Sequence, residues 1–139
     1  MLAIDHDAGF AQSTQTLLDR YGLAGWAAVK VAPLSPLELN GETFHWYHRD
    51  MLTGLNAIDL LFIDGPPADR PRPRARLSAG EVLFAQLAPR ASVFLNDAGW
   101  DGEQSVLSEW RAASPQLHQQ TLDTDKGCVR SSPREDASC

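Results

Sequence analysis

Three apolar runs in this chain end in acid, and segments with helical periodicity lie between them. "MLAID" (1–5) closes on Asp5, "IDLLFID" (58–64) on Asp64, and "ASVFLND" (91–97) on the pair Asn96-Asp97. The runs are apolar throughout rather than alternating, the pattern of strands in a mainly parallel sheet covered on both faces. The expected fold class is therefore α/β. In open sheets of this kind ligands bind beyond the carboxyl ends of the strands, so one rim should collect Asp5, Asp64, Asn96 and Asp97. After Asp64, Gly65 permits a tight exit and close approach to a ligand, while Pro66 and Pro67 prevent further pairing.

The remaining elements follow from capping and period. Asp7 suits a helix N-cap, and Phe10, Thr14, Leu17, Leu18 and Tyr21 recur at helical spacing, with Gly22 as the stop. "WAAVKVAPL" (26–34) reads as a second strand broken by Pro33, and 35–57 as mixed, with "FHWYH" (44–48) a short strand or packed loop. The segment 65–76 has too many prolines for a regular element. Ser78 and Glu81 have capping-box spacing ahead of a helix carrying Val82, Leu83, Phe84 and Leu87. Asp101 is expected to cap a helix to about Ala113, with Val106, Leu107 and Trp110 on one face. The stretches 116–123 and 126–130 read as a hairpin. The expected organisation is one domain over 1–130 and a disordered tail over 131–139.

Composition narrows the function classes. The net charge of −6 argues against a nucleic-acid-binding face, and ten of the twelve basic residues are arginine. No apolar run has membrane length and no signal peptide is visible, so no membrane partner is expected; the expected partner is a small-molecule or unidentified acceptor substrate. The two cysteines, Cys128 and Cys139, suggest no disulfide framework, and a reducing cytoplasm is the simplest compartment.

Several side chains at the expected rim carry chemistry. Asp5, with His6 and Asp7 beside it, either accepts ribose hydroxyls or starts a turn. Asp64 can orient an amine, act as a base or serve as a turn acceptor. Two carboxylates and an amide carbonyl, Asp64, Asp97 and Asn96, can hold a hard divalent cation or satisfy backbone donors; the latter is the preferred reading, and no metal is assigned. His6, His45, His48 and His118 lack metal-ligand spacing. Trp46 and Tyr47 read as core. Arg70, Arg72, Arg74 and Arg76 read as a solvated loop, with a lid over an acidic substrate as the alternative. "LLFID" resembles the second motif of P-loop hydrolases, but G-x-x-x-x-G-K-[ST] is absent. A response-regulator receiver domain ranks a distant third, because "FLNDAGW" carries no lysine and the spacing after Asp64 is too long.

Taken together, "LAIDHDAGFAQSTQTLLDRYGLAG", "KVAPL", "WYH", "IDLLFIDGPP", "FLNDAGWDGE" and "LDTDKG" resemble, in order and spacing, the class I S-adenosylmethionine-dependent methyltransferases. Within these they resemble the small-domain branch with a DGPP fourth strand. The resemblance spans Met1 to about Arg130. It implies a Rossmann-like, mostly parallel sheet with a C-terminal antiparallel hairpin (116–130), S-adenosylmethionine as cofactor, and methyl transfer to an O or N acceptor. By the same resemblance, Asp5 and His6 would hold the cofactor ribose. Pro33 and Leu34 would lie near the adenine. Asp64 and Gly65 would face the methionine end or the acceptor, and Asp97 would face the substrate. The catalytic candidates are Asp97 and Asp64.

Two departures stand out. Asn96 replaces a usual aspartate, and Trp100 a usual arginine. The first strand and its glycine-rich loop, expected roughly twenty residues before Asp5, are missing, and no G-x-G-x-x-G occurs. The chain is thus expected to be an N-terminally truncated methyltransferase-like domain. The alternatives are a non-catalytic remnant or binding module, and a metal-assisted O-methyltransferase using Asp64, Asn96 and Asp97.

Overall fold

The computed structural model describes residues 1–134 of the chain, so the expectation of a disordered tail falls, for 135–139, outside the described residues. The chain divides into two compact units, Met1–Thr53 and the part from Gly54 onward.

The first unit opens with strand β1 (Leu2–Asp5), helix α1 (Ala8–Arg20) and strand β2 (Ala28–Val31). β1 and β2 pair in parallel, Leu2 with Ala28 through Asp5 with Val31. Asp7 is the N-cap, its carboxylate accepting the Phe10 N–H at 2.9 Å, and Gly22 turns the chain with φ 69°. The helix appears as the spacing predicts, but the face that the spacing picks out is mostly exposed. Ala11 is its buried residue, whereas Phe10, Leu17 and Tyr21 are exposed. The periodicity identified one face correctly but not whether anything covers it.

Past Pro33 lies a hairpin that the sequence reading did not isolate: β3 (Leu34–Leu39) and β4 (Glu42–Tyr47), antiparallel from Leu34–Tyr47 to Leu39–Glu42. Its two-residue turn is Asn40-Gly41, with φ 51° and 81°, the paired positive values that match the twist of hairpin strands. Trp46 is buried and meets Tyr47 edge-on at 4.9 Å between ring centroids, as core packing requires.

The second unit contains β5 (Ile58–Ile63), α2 (Ser78–Leu83), β6 (Leu87–Asn96), α3 (Asp101–Ala113), β7 (Leu117–Leu122) and β8 (Cys128–Pro133). Its sheet runs β5-β6-β8-β7: β5 and β6 are parallel, and β8 pairs antiparallel with both β6 and β7. The C-terminal hairpin is therefore present, but β8 extends to Pro133, so 131–133 is strand rather than tail. Ser78 is the first residue of α2 instead of its cap, and the helix stops at Leu83. Phe84–Gln86 form a 3-10 turn, and Leu87 already belongs to β6. Asp101 likewise sits in the first turn of α3, behind Trp100 as N-cap.

The core of this unit gathers Val93 and Leu95 of β6 with Val106, Leu107 and Trp110 of α3, all buried. Each such aliphatic side chain contributes roughly 1.5–3 kcal/mol by leaving water. The Trp110 indole N–H donates to the Leu77 carbonyl at 3.1 Å. Glycine is needed where α3 passes the loop before it: a Cβ on Gly102 would lie 2.1 Å from the Pro73 carbonyl oxygen.

Neither parallel pair is flanked on its second side. Among the described residues β1 pairs only with β2, and β5 only with β6. β5 is also not covered on both faces as expected, since Leu60 and Phe62 are 63% and 60% exposed. The two parallel pairs and the C-terminal antiparallel hairpin, with the helices between them, make the chain an α/β protein with the strand types of a Rossmann-like sheet, to which β3-β4 adds a second hairpin.

Candidate functional site

In the first unit the candidates surround the end of β1. Asp5 Oδ1 accepts the Asp7 N–H at 2.9 Å, and His6 Nδ1 stands 3.7 Å from the same oxygen. Asp5 therefore does start a turn. Its side chain remains one-third exposed, which leaves part of the carboxylate open to a ligand hydroxyl. Pro33 follows β2, its carbonyl accepting the His48 N–H at 2.9 Å, and Leu34 opens β3.

In the second unit the ends of β5 and β6 meet at a single polar cluster. Asn96 Nδ2 donates to Asp64 Oδ1 at 2.9 Å. Beneath them lies a residue that the sequence reading left in a solvated arginine loop. Arg76 is 5% exposed and not in solvent. Its Nε donates to the Pro66 carbonyl at 3.3 Å, Nη1 to the Asn96 carbonyl at 3.1 Å and Nη2 to the Asp64 carbonyl at 3.0 Å. The guanidinium thus holds both strand ends and the cis Gly65–Pro66 exit by their backbone. Its planar fork of donors suits such a junction, which an ammonium would not span. Nη2 also lies 3.8 Å from Asp64 Oδ1 and 3.7 Å from Asp97 Oδ2, and Nη1 lies 3.4 Å from Glu103 Oε1. Two more arginines of the segment are engaged, Arg72 with Asp69 at 2.8 Å and Arg74 with Glu109, whereas Arg70 is exposed as expected of a solvated loop.

Asp97 takes a left-handed backbone, φ 55°, which aspartate tolerates better than most residues. Two backbone bonds fix the loop that carries it, Ala98 N–H to the Gly127 carbonyl and Gly99 N–H to the Lys126 carbonyl, both 3.1 Å. Asp97 Oδ1 is buried without a hydrogen-bond partner, as is Glu103 Oε1. Glu103, on the first turn of α3, is 2% exposed. Burial pushes its pKa up, Arg76 pulls it down, and Asp97 pushes it up again. Glu103 gave no signal in the sequence, because a glutamate in a first helical turn is ordinarily solvated.

The structure therefore brings Asp64, Asn96 and Asp97 to one rim, as expected, with Gly65 at its edge. Asp5, His6, Pro33 and Leu34 belong to the first unit. The place between the rim carboxylates is taken by a guanidinium. Among the described residues no group of three or more His, Cys, Asp or Glu side chains could hold a metal ion.

No protein-family model matches the sequence, and no curated protein matches it. Solved structures do. A methyltransferase from Geobacter sulfurreducens superposes with a TM-score of 0.67 at 15% identity, over 95% of this chain and 57% of that one. An SAH-bound methyltransferase from Podospora anserina gives 0.66 at 11% identity, over 96% and 60%. The C-terminal domain of precorrin-6Y C5,15-methyltransferase from Rhodobacter capsulatus gives 0.59 at 17%, over 96% and 67%. The fold is thus shared, and the chain spans 57% and 60% of the length of the first two.

Proposed function

We propose that this chain forms the greater part of an S-adenosylmethionine-dependent methyltransferase domain of the small-domain branch, acting on an O or N acceptor, in a reducing cytoplasm. The observation that carries this is the presence, one in each unit, of two parallel strand pairs whose ends present carboxylates: Asp5 at the end of β1, Asp64 beside the end of β5. The free, buried Cys128 thiol suits the compartment.

When bound, the cofactor supplies an electrophilic methyl group on a sulfonium sulfur. Asp5 would accept a ribose hydroxyl through Oδ2, with His6 beside it and Pro33 and Leu34 toward the base. Gly65 lets the chain approach the ligand closely. Of the two rim carboxylates, Asp64 has the more exposed side chain, 58% against 24%, and is the one a solute meets. It orients the acceptor and takes its proton. Asp97, tied toward Arg76, positions the rim. Catalysis then rests mainly on alignment.

The domain is N-terminally truncated in this reading. Three features support it: the unflanked sides of β1 and β5, the exposure of Leu60 and Phe62, and the absence of any G-x-G-x-x-G. A strand and glycine loop supplied by upstream sequence would lie against β5 and complete the cofactor cradle.

Calorimetric titration with S-adenosylhomocysteine tests the reading. The 139-residue chain should bind weakly, and a version extended with the in-frame upstream segment at least tenfold more tightly, with Asp5→Ala abolishing the gain. An extended version that folds but does not bind would instead establish the non-catalytic remnant. The Arg76 guanidinium between the carboxylates disfavours the metal-assisted reading, and added Mg²⁺ should leave the titration unchanged.

A further inference from the structure

Three carboxylates, Asp64, Asp97 and Glu103, face one guanidinium, so the cluster around Arg76 has more negative charge than its cation can balance. The three are not equivalent. Asp64 and Asp97 reach solvent, whereas the Glu103 side chain is 3% exposed. Glu103 meets Arg76 through Nη1, the rim carboxylates through Nη2. A rigid planar cation contacted from both sides is polarised toward whichever side carries more charge.

We infer that Glu103 is a positioning residue: by gaining or losing a proton on the buried side of Arg76, it sets how much of the guanidinium's charge is left for Asp64 and Asp97 at the rim. With Glu103 neutral, Arg76 serves the two exposed carboxylates. With Glu103 ionised, its charge offsets part of the field of Arg76 and the rim becomes more negative. The charged groups that face Glu103 are Arg76, from the 3-10 turn Ala75–Leu77, and Asp97, from the end of β6. Asp64 faces Arg76 from the end of β5, and Arg74 is engaged farther along α3 by Glu109. Burial raises the Glu103 pKa from its ordinary value, against the lowering pull of Arg76. This coupling needs no cofactor and stands apart from the methyltransferase reading.

The Asn96 side-chain amide is a built-in reporter, because it donates to Asp64 Oδ1 at the rim. The test follows the full, isotope-labelled chain by NMR from about pH 4 to about pH 9. Glu103 Cδ gives the midpoint of its own titration. The Asn96 Nδ2–H resonances should move with that same midpoint. In Glu103→Gln this inflection should vanish, with the resonances fixed near their position in the protonated wild type. Arg76→Lys should uncouple the two signals. Asn96 resonances that stay still through the Glu103 midpoint, or an inflection retained in Glu103→Gln, would overturn the proposal. The comparison within the wild-type chain decides the matter even if neither variant folds.

Discussion

Asn96 Nδ2 donates to Asp64 Oδ1 across 2.9 Å, joining the ends of two parallel strands through their side chains. An aspartate at position 96 would face Asp64 as a second carboxylate. Asn96→Asp should therefore lose about 1 kcal/mol of stability at neutral pH, from the lost hydrogen bond and like-charge contact. Chemical denaturation should show the loss shrinking as the pH falls through the carboxylate range.

Arg76 carries the backbone junction of the same two strands. Arg76→Met keeps an apolar stem but strands three carbonyls and leaves Glu103 without its partner. The expected cost is about 3 kcal/mol or more, read from the shift of the urea midpoint. A loss under about 1 kcal/mol would mean that the guanidinium is ornamental.

Glu103 should impose a slope of stability against pH. Its folded pKa lies above the ordinary glutamate value of 4.5, chiefly through burial, so the folded state holds the proton more tightly than the unfolded one. Stability is then highest below 4.5 and falls as pH rises through the raised folded value. Glu103→Gln should remove that decline, so denaturation at several pH values should give variant and wild-type curves that diverge in the variant's favour toward alkaline pH.

The unflanked side of β5 should make the isolated 139-residue chain self-associate. Leu60 is 63% exposed there, and a lysine is a natural guard for an open strand. Leu60→Lys should raise the monomeric fraction in sedimentation velocity while changing stability by no more than about 0.5 kcal/mol.

What could be read in the sequence depended on how local its cause was. The acid-terminated strands and the Asp7 cap are set within a few residues, and they appear where expected. The Asn40-Gly41 hairpin was equally local, but Pro33 and Pro36 obscured the strand before it. β3 belongs to a two-stranded sheet, where a proline costs no central ladder bond. The burial of Arg76 and Glu103 was not legible. Each depends on a partner from a distant element, and nothing in a Pro-rich basic loop distinguishes the one arginine that turns inward. The exposed side of α1 was hidden for a related reason: spacing groups Phe10, Leu17 and Tyr21 without naming their neighbour.

The sheet of the second unit has unlike margins. β7 closes one with His118, Gln119, Gln120 and Thr121, side chains at ease in water, while β5 closes the other with Leu60 and Phe62. The fabric thus has a grain. Growth past β7 would bring new backbone beside polar residues that have no need of cover, whereas growth past β5 shelters grease. Any sequence spliced onto this protein finds its thermodynamic welcome on that second selvedge.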